Sequence, residues 1–392
     1  MAHRPLISLS VLSLLSSSPA LAQANSTTLP TYTPAYEPRT VDERGLWMEA
    51  DEDERALRDS PLVIRDEALN KYVRGVLCRT VGEDRCRGIR IYILEVPAFN
   101  ASMAPNGTMR VWSGLLLRVR NEAELGAILA HEFAHFELRH TLAAFKHQRT
   151  ASDLFAWAGV IGGLTNTNVG LLQWSLVGSI FRFSREQEEQ ADLLSFKYMA
   201  ASPYPASAEA DVWQHIMAES DETAIGRKKK PRQHYIAGFF DTHPTPLNRA
   251  TYLREAALRI SHGGDSNSAA YYQATAKFRP LFLADQVKLN DFGGTEYILG
   301  QLASTNGWTG DLLFARGELY RARGNPRDLV SAAQFYGDAI KTGFSAPEAR
   351  RGLGLSLLRN GQVTDGKAAL TEYLLMKPDA SDAKAISALV TN

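Results

Sequence analysis

Five residues, His131-Glu132-Phe133-Ala134-His135, constrain this chain more than any other stretch. On a helix, positions i and i+4 lie on one face about one turn apart, so both imidazoles can reach a single ion. Glu132 is rotated roughly 100° about the axis from His131, where its carboxylate can meet a water activated by that ion. Two neutral imidazoles suit Zn2+, and an adjacent carboxylate can take the proton of the water. The stretch therefore reads as the H-E-x-x-H pattern of a hydrolase using one Zn2+ per chain.

Its surroundings predict the helix that the pattern needs. Asn121 is an N-cap candidate, and Glu122 and Glu124 are acids suited to a first turn. Leu125, Ile128, Leu129, Phe133 and Phe136 then fall at helical spacing and predict a long buried face.

A catalytic zinc needs a third protein ligand and one open position. His140 is close in sequence, but a metzincin pattern would place Gly at 138 and His at 141, where this chain has Leu138 and Thr141. An uninterrupted helix would also turn His140 to a different face from His131, so it reads as a helix-end or surface residue. His147 meets the same objection. Downstream, Glu188 and Asp192 are spaced i, i+4 on an expected second helix that begins near Ser184. One carboxylate can bind zinc while the other holds a histidine N–H and fixes its tautomer. A third element is Thr242-His243-Pro244. Pro244 biases His243 toward an extended loop conformation. From there its imidazole can donate to a developing oxyanion or fill the open zinc position of a resting site.

The chain has 392 residues, enough for two domains, and a formal net charge of zero, which offers no attraction to nucleic acid. His3 and Arg4 precede an apolar run from Leu6 to Leu15, then Ala20-Leu21-Ala22 and the overlapping Ala22-Gln23-Ala24. This predicts a signal peptide over 1–24, cleaved after Ala22 or Ala24, and a periplasmic protein with no transmembrane segment in the mature chain. Cys78 and Cys86, separated by a short Gly-containing turn, could close a disulfide in that oxidising space.

Residues 25–41 read as an extended Thr/Pro/Ser-rich arm. Strands are expected over 89–94 and 108–112, with a turn at Pro105-Asn106-Gly107. A strand just before the H-E-x-x-H helix would lie beside the cleft, and an open edge there could pair with an extended peptide. Residues 154–183 are apolar but broken by Gly162-Gly163, which predicts two core helices. The basic run 227–232 reads as a solvated loop. Near the C-terminus, Gly317, Tyr320, Gly324, Ala332, Tyr336 and Ala339 recur 37 residues later as Gly354, Leu357, Gly361 and positions within 366–373. The period resembles tetratricopeptide helix pairs, with an insertion at 326–331 accounting for the excess length.

Taken in order, His131 to His135, Ser184-Arg185 with Glu188 and Asp192, and Thr242-His243-Pro244 with Arg249 resemble the M48 family of zinc metallopeptidases. The likeness is to its exported, tetratricopeptide-containing branch, similar to periplasmic proteases of outer-membrane protein quality control. It implies that His131, His135 and Glu188 bind zinc and that Glu132 is the general base. It also implies that Asp192 orients a ligand histidine and that His243 and Arg249 line the cleft. The expected fold is α+β and predominantly helical. A gluzincin-type metallopeptidase domain with a small β-sheet spans 42–262, and an all-α tetratricopeptide-like domain spans 269–392. The expected partners are protein or peptide substrates, with outer-membrane assembly machinery meeting the C-terminal repeats. The rival reading is a periplasmic chaperone or assembly factor whose proteolysis is gated or minor.

Overall fold

The computed structural model describes Leu29, Tyr32 and residues 36–151, 183–231, 246–260 and 263–391. The expected signal peptide, most of the arm, residues 154–182 and His243 with Pro244 lie outside the described residues, as does the side chain of His147.

The described chain is mostly helical with one small sheet. Helix α1 (Val41–Asp59) is followed by α2 (Glu67–Val81), the short α3 (Glu83–Cys86) and strands β1 (Arg90–Leu94), β2 (Ala101–Met103) and β3 (Thr108–Trp112). The strands are ordered β1-β3-β2, with β1 parallel and β2 antiparallel to β3. The two expected strands are β1 and β3. β2 is too short and too weakly patterned to stand out in sequence.

After the sheet come α4 (Ser113–Arg118), α5 (Glu122–Glu137), α6 (His140–Ala151), α7 (Arg185–Ala201), α8 (Ala208–Gly226) and α9 (Pro246–Ala257). Caps explain several boundaries. Thr40 and Glu43 form a reciprocal capping box at α1, and Ser184 and Gln187 form another at α7. Asn121 accepts from the Glu124 N–H at 2.8 Å and opens α5. Leu125, Leu129 and Phe133 of α5 are fully buried, and the helix packs against α2, α7 and α8. This central position carries the H-E-x-x-H face into the middle of the molecule.

The sheet has an apolar side in the main core, where Met109 and Val111 are fully buried. Its other side is covered by α1, whose Leu57 packs with Leu94, Val96 and Trp112. Polar contacts pin the same interface. Glu54 of α1 accepts from Arg90 Nε at 2.6 Å and Nη2 at 2.7 Å, and from the Tyr92 hydroxyl at 2.8 Å. Cys78 and Cys86 form a disulfide that ties the end of α2 to α3. Residues 227–231 are exposed, as expected for the basic run.

The remaining helices are α10 (Ser268–Thr275), α11 (Arg279–Lys288), α12 (Phe292–Asn306), α13 (Gly310–Arg323), α14 (Pro326–Lys341), α15 (Pro347–Arg359), α16 (Val363–Met376) and α17 (Ala383–Thr391). One hydrophobic cluster runs from Ile64 to Leu319, so packing continues across residues 262–269. The pairs α13–α14 and α15–α16 carry the 37-residue pattern. Gly324 and Gly361 both adopt positive φ at the turn between paired helices, where a side chain would be strained. Residues 326–331, where the insertion is expected, open α14, with Pro326 at its first position, where a missing N–H costs nothing.

The Glu54 cluster predicts acid sensitivity. Hydrogen bonds from Arg90 hold its carboxyl down to about 2, against an ordinary value of 4.5 and against the opposing effect of burial. A carboxyl lowered in the folded state stabilises fully above its ordinary value and loses that contribution as pH falls from about 4.5 toward 2. Glu54→Gln should cost about 1–2 kcal/mol at neutral pH, discounted because Arg90 is partly exposed. It should also flatten the acid limb of stability measured by urea unfolding across pH. Equal stability of the variant and the parent at pH 7 would show that α1 is not held to the sheet in this way.

Candidate metal centre

His131 and His135 project from one face of α5, with their Nε2 atoms 3.1 Å apart. Glu188 reaches them from α7, its Oε2 3.4 Å from His131 Nε2 and its Oε1 3.6 Å from His135 Nε2. These three residues can offer ligand atoms lying within 4.8 Å of one another, and all three are buried. A tetrahedral zinc with ligands at about 2.0–2.1 Å would separate its donors by roughly 3.3 Å. Two imidazoles and a carboxylate at 3.1–3.6 Å therefore fit a zinc ion in both donor chemistry and spacing.

The surrounding polar groups orient these donors. Asp192, one turn after Glu188 on α7, places Oδ1 2.9 Å from His131 Nδ1. An N–H donated there leaves Nε2 as the lone-pair nitrogen turned toward Glu188 and His135. Asp192 also accepts from Arg249 Nε of α9 at 2.8 Å, from Arg249 Nη2 and from the Tyr252 hydroxyl. Arg249 is 1% exposed; the Trp213 ring lies 3.8 Å from its guanidinium carbon, and its Nη2 lies 3.1 Å from His131 Nδ1. Burial opposes charge on Asp192, but Arg249 and His131 outweigh it and hold the carboxyl down to about 2.

His135 has its own support from His140, which stands at a helix end, one of its two expected placements, as the first residue of α6. His140 is buried, not a surface residue, and its Nδ1 lies 2.9 Å from His135 Nδ1. Its Nε2 is 3.1 Å from Gln190 Oε1 on α7. The premise of an uninterrupted helix fails at Arg139, whose φ of 59° ends α5 and starts α6 at His140. That left-handed residue turns His140 back toward its neighbour instead of around the helix. His140 still stands outside the three-donor group and supports His135 from behind. Phe183 stacks on the His135 ring with centroids 4.1 Å apart.

Glu132 faces a cleft of about 750 Å3 bounded by β2, α5 and α8. Phe99, Ile128, Val212, Trp213 and Ile216 make its apolar wall, and His131 and Arg249 line it beside Glu132. Burial, reinforced by Glu188 and opposed by His131 and Arg249, raises the Glu132 carboxyl to about 7. A carboxyl near neutrality can both take and return a proton at physiological pH. Glu209 of α8 also lines this cleft and is buried with no hydrogen-bond partner among the described residues. Burial, together with the nearby Asp192, pushes its pKa well above the ordinary carboxylate value.

Sequence reasoning missed Trp213, Glu209, Gln190 and Tyr252. Tyr252 had a usable signal, since it lies three residues after Arg249 and so shares its helix face. Glu209 and Trp213 sit on a helix of mixed pattern with nothing to mark them. His243 lies outside the described residues.

The role of Asp192 is open to direct measurement. Asp192→Asn should weaken zinc binding by about 10–100-fold, read by competition with a chromophoric chelator. Circular dichroism should confirm that the variant is folded. Parental affinity in a folded variant would remove Asp192 from the support of His131.

Residues 68–257 match the peptidase family M48. The chain is 27% identical over 250 residues to a putative beta-barrel assembly-enhancing protease of Vibrio cholerae, a match covering 61% of this chain and 49% of that protein. It is 22% identical over 234 residues to the beta-barrel assembly-enhancing protease of Escherichia coli K12, covering 57% of this chain and 46% of that protein. The mitochondrial metalloendopeptidase OMA1 of Schizosaccharomyces pombe is 27% identical over 188 residues, covering 47% of this chain and 52% of that protein. The chain thus spans about half the length of the curated relatives it matches. The H-E-x-x-H helix, the Glu188 helix and Arg249 all lie inside the matched region, so residues 68–257 form a peptidase family M48 domain.

Proposed function

We propose that this protein is a zinc-dependent endopeptidase of gluzincin type that hydrolyses peptide bonds in proteins of the bacterial envelope. The observation that carries the reading is the convergence of His131 Nε2, His135 Nε2 and the Glu188 carboxylate at 3.1–3.6 Å beside a cleft lined by Glu132. His131, His135 and Glu188 would hold the ion. When bound, Zn2+ supplies Lewis acidity that polarises a carbonyl and lowers the pKa of water.

The chain's own residues perform the remaining work. Glu132 takes a proton from the attacking water and passes it to the leaving amine. Asp192 and Arg249 hold the His131 ring in place, while His140 and Gln190 hold His135. His243 is assigned to the cleft as an oxyanion donor or as a ligand that closes a resting site. Substrate would lie along β2. Trp112 N–H donates to Asn100 O and Ala104 N–H to Thr108 O, so the main-chain groups of Ala101 and Met103 face away from β3. Ala101 borders the cleft, and an extended peptide can add to this edge.

An exported, periplasmic site of action is supported by the N-terminal signal pattern and by the Cys78–Cys86 disulfide, which persists in oxidising compartments. No described helix is long and apolar enough to cross a membrane. Relatives named for beta-barrel assembly support quality control of outer-membrane proteins as the setting. The helix pairs α13–α14 and α15–α16 would act as tetratricopeptide-like repeats that meet the assembly machinery. Their 37-residue repeat also supports a second reading, a chaperone with minor or gated proteolysis.

Glu132→Gln separates the two. It should retain one zinc per chain and lose about 10²–10⁴-fold in peptide hydrolysis. A peptidase then fails to complement a deletion strain, whereas a scaffold still complements it. Full hydrolysis by the variant would refute Glu132 as the base. Stoichiometric zinc of unchanged affinity in Glu188→Ala would refute the third ligand.

A further inference from the structure

A second cavity, of about 730 Å3, lies between the peptidase core and the C-terminal helices. It is walled by the end of α4 and the residues after it, and by α8, α10, α11 and α12. Ile216, Phe282, Ile298 and Leu302 form an apolar lining. Ile216 also lines the catalytic cleft, so the two spaces share the wall formed by α8.

The polar part of the lining is unbalanced. Three guanidiniums reach the cavity, and two are neutralised: Arg118 by Glu219 at 2.9 Å and Arg279 by Asp311 at 3.0 Å. Arg120 has no carboxylate partner among the described residues, and its Nη2 meets only the Tyr297 hydroxyl at 3.1 Å. The hydroxyl of Tyr272, also in the wall, is buried and makes no hydrogen bond among the described residues. A buried hydroxyl normally finds a partner, and an uncompensated guanidinium favours an anion. The apolar remainder favours a hydrocarbon body over a cluster of waters, which needs several polar groups to hold it.

We propose that this seam cavity binds a small amphiphilic anion. A carboxylate or phosphate head would accept from Arg120, and an alkyl body would pack against Phe282, Ile298 and Leu302. Nothing in this assignment depends on the metal centre.

Isothermal titration of the full-length chain carrying Glu132→Gln tests it independently of catalysis. The probes are dodecanoate, dodecyl phosphate and dodecyltrimethylammonium, each kept below its micelle concentration. Saturable binding of one anion per chain, with none of the cation, is expected. Arg120→Gln should weaken the anions about tenfold or more, the loss expected for a charge-assisted hydrogen bond. Leu302→Trp should fill the cavity and abolish binding while the thermal midpoint stays near that of the parent. Comparable binding of both anions would identify charge and chain as what is recognised, and binding of only one would name the head. The proposal is overturned if neither anion binds saturably, if the cation binds as tightly, or if both folded variants bind like the parent.

Discussion

The buried pairing of Asp192 with Arg249 is the contact on which the metal centre depends. Two ions removed from water carry a desolvation penalty of several kcal/mol each, tolerable only when nearly every donor and acceptor is met. Here the carboxylate meets Arg249 twice, Tyr252 once and His131 once. The pair thereby joins three helices, α5, α7 and α9, at one point. Trp213 adds a fourth, α8, by covering the guanidinium. The ion pair serves geometry more than stability. It fixes which nitrogen of His131 is free, and with it where a metal can sit.

The two histidines are supported by different means. His131 is held by charge, through Asp192 and Arg249, whereas His135 is held by neutral groups: His140, Gln190 and the stacked Phe183. The asymmetry follows from the chain path. The α9 side of the centre brings a cation, and the Arg139 turn brings an imidazole. Burial and neighbouring charge then drive the cleft carboxyls apart in character. Asp192 is held down to about 2, Glu132 is raised to about 7 and Glu209 is pushed well above the ordinary carboxylate value. Burial raises all three, and only at Asp192 do the neighbouring cations outweigh it.

Much of this arrangement was legible because helical periodicity is local. His131 and His135, then Glu188 and Asp192, are both i, i+4 pairs, and each pair needs only its own helix to share a face. Asn121 announced the start of α5 for the same reason, since a cap acts within three residues. One outcome also has a local cause. His140, expected at a helix end or on the surface, stands at a helix end but buried, because a single left-handed residue, Arg139, breaks a helix that composition alone would continue.

By itself, the sequence determined the candidate metal-binding face, the acid beside it and the carboxylate pair that answers it, because these are written at spacings that one helix enforces. Only the tertiary structure decided that Gln190 meets the His140 that stands behind His135, that Trp213 covers Arg249, and that α8 separates the catalytic cleft from a second cavity. Those relations join residues tens to more than a hundred positions apart. They depend on how buried helices cross, and no local period encodes a crossing.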